Sequence, residues 1–351
     1  GFIWAQGSYN EKFITKITAE SSRGSSFIKV ADSAKLKPGQ FISIEVLENS
    51  GKSLIKHLYS EDAGDISNIK GSVKTKFTSK ILNINENKLE LERPLPFDIK
   101  KSWSAYLKAF KPTVREVRIE NMTITFPNTP YNGHFSECGK NGIEFNAVVN
   151  SWITDIHFQN CDSGIFMNSQ FCTAKRIVFK SDRLKLKNNN MSYTGHHGIL
   201  AGSDCLFEEF DFQTHFIHDL GLGKGSRGNV FANGKGTNLS LDHHRQAPYE
   251  NLFSNLDAGI GSDLWSSGGG TGLGKHSGGR GTFWNIRTQK KIHLPKDDFG
   301  PPSLNFIGVN FKNELKKSIF TPEPIDPEYI FPGDIYSAQI LRRLKIGRAH
   351  V

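Results

Sequence analysis

The sequence predicts an all-β solenoid preceded by a small β module. Three observations carry that expectation. The 351 residues hold 26 Phe and 34 Gly but 3 Met, and aromatic and β-branched residues broken by Gly and Asn build strands and turns rather than helices. Short runs of alternating apolar and polar residues fill the first third and recur beyond it. From Asn141 onward a Gly-Ile unit followed by a second strand returns at a spacing near one solenoid coil.

The module comes first. Ser26-Phe27-Ile28-Lys29-Val30 is strand-like, Leu36-Lys37-Pro38-Gly39-Gln40 turns, and Phe41-Ile42-Ser43-Ile44-Glu45-Val46 alternates. Lys80–Ile84 and Lys88–Glu92 flank Asn85-Glu86-Asn87 as a hairpin, and the polar stretch Ile55–Lys76 reads as an excursion. The solenoid opens with Val117–Phe126, whose alternation slips phase at Asn121-Met122. Gly142-Ile143, Gly164-Ile165 and Gly198-Ile199 then head successive units. Gly142 to Gly164 is 22 residues; Gly164 to Gly198 is 34, with Asp182–Thr194 inserted. Such units cannot bury an apolar face alone and must stack. An antiparallel sandwich is the competing arrangement. The expected boundaries are 1–113 for the module, 114–311 for the solenoid and 312–345 for an irregular, truncated tail. The final Ile346-Gly347-Arg348-Ala349-His350-Val351 matches the translation of a sequencing adapter and is expected to belong to no fold.

The Gly-Ile units, Asn-rich corners and alternating strands resemble right-handed parallel β-helix proteins of the pectate-lyase-like superfamily. That group includes polysaccharide lyases, polygalacturonase-related glycoside hydrolases and phage tailspikes. A similar uncharacterised bacterial group matches over Val117–Arg287, through Asp162-Ser163-Gly164-Ile165, Thr194–Gly198, Phe216-Ile217-His218-Asp219, Asp242-His243-His244-Arg245 and Thr282–Ile286. The resemblance implies a right-handed parallel β-helix acting on carbohydrate. The polygalacturonase pattern also needs an adjacent Asp-Asp and a later Arg-x-Lys. Neither stands at the expected place, and Asp297-Asp298 falls too late.

Composition narrows the partners. The net charge is +9, of which Gly1–Lys111 contributes +6, so an acidic partner is favoured without a marked site. No reading helix or basic aromatic stripe points to nucleic acid. No apolar run approaches the roughly 18 residues of a membrane span. The four cysteines are unclustered and read as buried free thiols. The opening Gly1-Phe2-Ile3-Trp4-Ala5-Gln6 lacks Met, and the chain is expected to be secreted or periplasmic and monomeric.

Histidine marks the candidate site. His196, His197, His215, His218, His243, His244 and His276 fall within 81 residues; His197 to His218 is 21 residues and His218 to His244 is 26. Near-coil spacing stacks such side chains on one face. The candidate catalytic residues are His197, His218, Asp219, Asp242, His243, His244, Arg245 and Tyr249. His196, Trp265, Lys275, His276 and Arg280 are candidates for substrate binding.

Three chemistries remain open. β-Elimination on a uronate needs a neutralised carboxylate, a base and an acid. His suits proton transfer, Arg245 the carboxylate, and Tyr249 the leaving oxygen. Hydrolysis needs two carboxylates, from Asp162, Asp219, Asp242 and Asp257. A transition metal would draw on His218-Asp219 and Asp242-His243-His244, with at most one residue of each adjacent pair on the same face. No metal ligand and no cofactor is assigned, and calcium bridging a substrate carboxylate is the cation to consider.

Gly259–Gly281 holds ten glycines in 23 residues. His276 replaces the Ser or Thr of a phosphate loop, so the segment reads as a loop beside the groove. Trp265 and Trp284 are candidates to stack on sugar, with Trp284 favoured as a core residue. The expected function is endo-acting lyase cleavage of an acidic polysaccharide. Paired-Asp glycoside hydrolysis and a non-catalytic, adhesive β-helix are the alternatives.

Overall fold

A computed structural model of the chain describes residues 1–183, 193–312, 318–323 and 325–348. Among the described residues the strands form two parallel sheets and one antiparallel sheet. In the first parallel sheet Ile143, Ile165, Ile199, Leu220 and Leu241 stand opposite one another on successive strands. In the second, Ile119, Ile153, Ala174, Phe207, Phe231, Phe253, Phe283 and Phe306 form a similar column. The chain therefore winds as a parallel β-helix, all-β as the sequence predicts. Like residues stack because parallel strands of successive coils lie roughly 4.8 Å apart.

Both columns are buried and share one core. The phenylalanines account for the composition. Phe207–Phe231, Phe231–Phe253, Phe253–Phe283 and Phe283–Phe306 stack with ring centroids 4.8 to 5.2 Å apart and planes within 14°. The phase slip at Asn121 is a corner repeated down the helix. Asn121, Asp155, Arg176, Glu209, Asn233, Asn255 and Asn285 all have φ between 54° and 56°, a left-handed turn that lets each coil bend. Asn255 donates to Asn233 at 2.6 Å and Asn285 to Asn255 at 3.2 Å, so the corner is also a hydrogen-bond ladder.

The antiparallel sheet orders its strands Phe13–Lys16, Ser104–Ala109, Phe41–Glu48, Val73–Asn85, Lys88–Leu91 and Phe27–Lys29. Three expectations change. Ile3–Gln6, assigned to the module, pairs in parallel with Asn141–Val149 and caps the first solenoid sheet. A short helix, Ser53–Leu58, runs into the Ile55–Lys76 excursion, whose middle packs on the solenoid and whose end, from Val73, is strand. The tail is not wholly irregular, because Ile335–Arg348 is a helix. Asp334 accepts from the Tyr336 and Ser337 N–H groups, a helix-capping pattern. That helix includes Ile346, Gly347 and Arg348, three residues expected to lie outside any fold. Residues 349–351, and 184–192 within the insertion Asp182–Thr194, lie outside the described residues. All four cysteines are free; Cys161, Cys172 and Cys205 are buried, but Cys138 is exposed, which corrects the expectation there. No helix among the described residues is long and apolar enough to cross a membrane.

Candidate functional site

The histidines meet on the outer face of the first parallel sheet. His197 on Gly195–Ser203 stands opposite His218 on Phe216–Leu222. The next coil sets Asp242 opposite Gly221, and His244 comes two residues later. His197 and His218 stack across coils, whereas His218 and His244 meet edge to face. His196–His197 centroids are 4.0 Å apart, His197–His218 5.1 Å and His218–His244 5.8 Å. A residue outside the predicted set joins them. His134, from the segment before Asn141–Val149, lies 4.2 Å from His196 and 6.3 Å from His218. Lys140 N–H donates to Asp162 Oδ2 at 2.9 Å, anchoring that segment, while Asp162 pairs with the buried Arg183 at 2.6 Å.

Two carboxylates organise the rings. Asp242 is fully buried, and its Oδ2 lies 3.0 Å from His244 Nδ1 and 3.5 Å from His218 Nδ1. Its Oδ1 accepts from the Gly268 N–H at 2.6 Å. Gly268 is needed for that approach, since a Cβ there would lie 2.5 Å from His244 Cε1. Glu137 Oε1 lies 3.1 Å from His196 Nδ1 and accepts from Tyr131 Oη at 2.9 Å.

Titration follows from this geometry. The hydrogen bond to Asp242 raises the pKa of His244. Burial opposes the ionisation of Asp242, but the His244 hydrogen bond and the charges of His218 and His244 outweigh it and hold the carboxyl below its usual range. Burial first, then neighbouring imidazoles, pushes His197 down to about 3 and His196 down to about 4. Burial also lowers His218. These three rings are therefore neutral near pH 7, the form that ligates metals and accepts protons.

The structure brings together His196, His197, His218, Asp242 and His244 from the predicted set. It separates the others, each for a physical reason. His243 points the opposite way from its strand neighbours and stacks in the core on Phe253 at 5.5 Å and Phe283 at 5.9 Å. Asp219 is sealed in a corner, accepting from Phe216 N–H and from Ser240 N–H and Oγ; burial pushes its pKa up to about 8. Tyr249 is fully buried, with its hydroxyl 2.7 Å from Thr75 Oγ1 in the module. It belongs to the module's core cluster, so its candidacy as proton donor is corrected.

The cations are also committed elsewhere. Arg245 is bonded to Gly274 O and lies 3.0 Å from His276 Nε2 and 3.3 Å from Asp298 Oδ2. Lys275 pairs with Asp62 at 2.6 Å, and Arg280 with Glu250 at 2.8 Å. His276 Nδ1 lies 3.2 Å from His243 O. The expectation that Lys275, His276 and Arg280 reach into the groove is therefore corrected to a role in holding the Gly-rich segment. Trp265 donates to His293 O at 3.1 Å and packs edge-on against Phe283. Trp284 donates to Pro332 O at 2.8 Å, so the C-terminal segment covers its indole nitrogen.

His134, Glu137 and Gly268 were not legible from spacing. None shares the coil period of His197 and His218; the chain folds them in from connecting segments. Two groups in the described residues could hold a metal ion: His134, His196 and His218, and His218, Asp242 and His244. Within each, ligand atoms lie within 4.8 Å of one another. Neither set supplies the several oxygens that calcium requires.

No family model matches the chain, and no curated protein matches it. Solved phage tailspikes are similar in structure. The tailspike protein gp49 from Pseudomonas phage LKA1 shares 13% identity at a TM-score of 0.48, covering 87% of this chain and 54% of its own. The gp54 tailspike of Acinetobacter baumannii bacteriophage AP22, solved with an A. baumannii capsular saccharide, shares 13% at 0.39, covering 87% and 49%. The gp61 tailspike of Pseudomonas phage phi297 shares 7% at 0.36, covering 88% and 62%. The chain thus spans from about half to under two thirds of their length. The strand register, not this likeness, establishes the fold.

Proposed function

We propose that this chain is a carbohydrate-active enzyme of the pectate-lyase-like kind that cleaves an acidic polysaccharide internally by β-elimination, with His244 as the proton-transfer group. The Asp242–His244 couple carries this reading. A buried carboxylate accepts the Nδ1–H of a ring whose side chain is 43% exposed. That leaves the Nε2 lone pair facing solvent as a base, oriented and stabilised from behind. His244 removes the proton on the carbon next to the uronate carboxylate. The carbon–oxygen bond to the next sugar breaks as the carbon–carbon double bond forms. The imidazolium then protonates the departing oxygen. His196, His197 and His218 offer neutral rings along the groove for sugar hydroxyls.

Hydrolysis draws less support, because Asp219 is sealed in a corner, Asp162 holds Arg183, and Asp242 lies beneath His244. The same reading has the protein act as a monomer outside the cytoplasm, with no nucleic acid involved.

The test incubates the full chain with pectate, alginate, glycosaminoglycans and sulfated algal polymers. Ultraviolet absorbance and new reducing ends are recorded together. New ends with unsaturated-uronate absorbance are expected. His244→Ala should lower the rate roughly 10²- to 10⁴-fold, the span of a lost acid–base group, with an unchanged thermal melt. Ends without absorbance would favour hydrolysis. No signal on any polymer would favour the adhesive reading.

A further inference from the structure

We propose that His134, His196 and His218 bind one transition-metal ion, of the zinc type, in the histidine groove. Their ligand nitrogens lie within 4.8 Å of one another, and their ring centroids are 4.2, 5.5 and 6.3 Å apart. Nitrogens around a tetrahedral zinc, at about 2.0–2.1 Å from the ion, sit roughly 3.3 Å from one another. Ring rotation closes that gap.

The surroundings of His196 match those of a metal ligand, and His218 has a buried ring nitrogen without a hydrogen-bond partner. A ligating histidine characteristically gives its other N–H to a carboxylate, which fixes the tautomer. His196 Nδ1 faces Glu137 Oε1 at 3.1 Å, and Glu137 is itself held by Tyr131. His218 Nδ1 lies 3.5 Å from Asp242 Oδ2, is buried, and makes no hydrogen bond. His196 therefore keeps Nε2 for the ion. The rival set of His218, Asp242 and His244 shares one residue, but there both oxygens of Asp242 are already engaged, by Gly268 and His244.

The donor chemistry selects the class of ion. Three imidazoles suit zinc, copper, nickel or cobalt and do not suit calcium or magnesium. Three protein ligands also leave a fourth position, the pattern of zinc sites that bind substrate or water. If the proposed cleavage reading holds, that position takes an anionic oxygen of the sugar. It would supply the positive charge that Arg245, bound to Asp298 and Gly274, does not bring to the groove.

The test uses the full chain without a polyhistidine tag, stripped by a chelator and titrated with cobalt(II) chloride. Visible d–d absorption and calorimetry report uptake independently of any polymer. One equivalent is expected, displaced by zinc. His134→Ala and His196→Ala should each weaken uptake at least tenfold. Glu137→Gln should weaken it about 10- to 100-fold, as for a lost outer-shell carboxylate. His244→Ala should leave it unchanged. Circular dichroism checks each fold, and His134, on a connecting segment, is the variant safest for folding. No saturable uptake overturns the proposal. So does uptake that survives both His134→Ala and His196→Ala, or that is lost in His244→Ala, which would assign the ion to the rival set. Cobalt uptake without polymer cleavage supports the site and sinks only the lyase reading. Cleavage without uptake does the reverse.

Discussion

His243 and His244 are adjacent in sequence and opposite in role. On a strand, neighbours face opposite sides, so His244 opens on the groove while His243 enters the phenylalanine column. Burial holds His243 at a pKa of about 3, against an ordinary value of 6.5. Between those values the unfolded chain binds a proton that the folded chain refuses. Stability from this residue is therefore complete above pH 6.5 and is lost as pH falls toward 3. His197 and His196, held near 3 and 4, add to the same acid limb. His243→Phe extends the stack on Phe253 and Phe283 and removes one such proton. Its urea-unfolding stability should fall less steeply between pH 6.5 and 4, by up to about 1 kcal/mol per pH unit. A slope equal to that of the parent would show that His243 titrates normally.

At the scale of the coil, the recurring Gly-Ile is explained by the opposite sheet. A Cβ at Gly142 would lie 2.3 Å from Phe158 Cε1, one at Gly164 2.2 Å from Phe179 Cε1, and one at Gly198 2.2 Å from Phe212 Cε1. Each phenylalanine ring occupies the volume a side chain would need. Gly164→Ala should cost about 1–3 kcal/mol, the usual penalty of overpacking. Gly223→Ala, with nothing within 4 Å of its added Cβ, should cost far less. Urea midpoints for the pair decide it; equal midpoints would mean the coil relaxes around the methyl. This coil period was legible because identical packing demands repeat on every turn. The corners were legible only as a phase slip, since their left-handed residues vary from Asn to Asp, Arg and Glu.

At the scale of the molecule, two segments read as loose excursions hold each other. Gly274 N–H donates to Asp65 O at 2.7 Å, Lys275 N–H to Ala63 O at 2.9 Å, and Gly279 N–H to Leu58 O at 2.8 Å. Tyr59 Oη accepts from the Ala247 N–H at 2.8 Å and donates to Lys275 O at 2.8 Å. Ala247 ends a run, Arg245-Gln246-Ala247, with φ of 60°, 58° and 56°. Three successive non-glycine residues in that region are strained and persist only where the surroundings over-determine them. The module thus clamps the turn directly after His244. Tyr249→Phe removes the hydroxyl facing Thr75 across this junction. It should lose about 1 kcal/mol of stability, an ordinary hydrogen bond, while polymer cleavage continues at the parent rate. A tenfold slower rate with a native melt would return Tyr249 to the chemistry.

The sequence by itself determined the β-helix, its core columns and the histidines that share the coil period, because repetition along the chain becomes adjacency across coils. Strand alternation limited each adjacent pair to one residue on a given face, but the structure was needed to place Asp242 and His244 on the groove and His243 in the core. Only the tertiary structure decided that His134 and Glu137 join the groove, that Arg245, Lys275 and Tyr249 leave it, and that a helix closes the tail. Those outcomes depend on where connecting segments land and which carboxylates they meet. Contacts between residues far apart in sequence and outside the repeat leave no period to read.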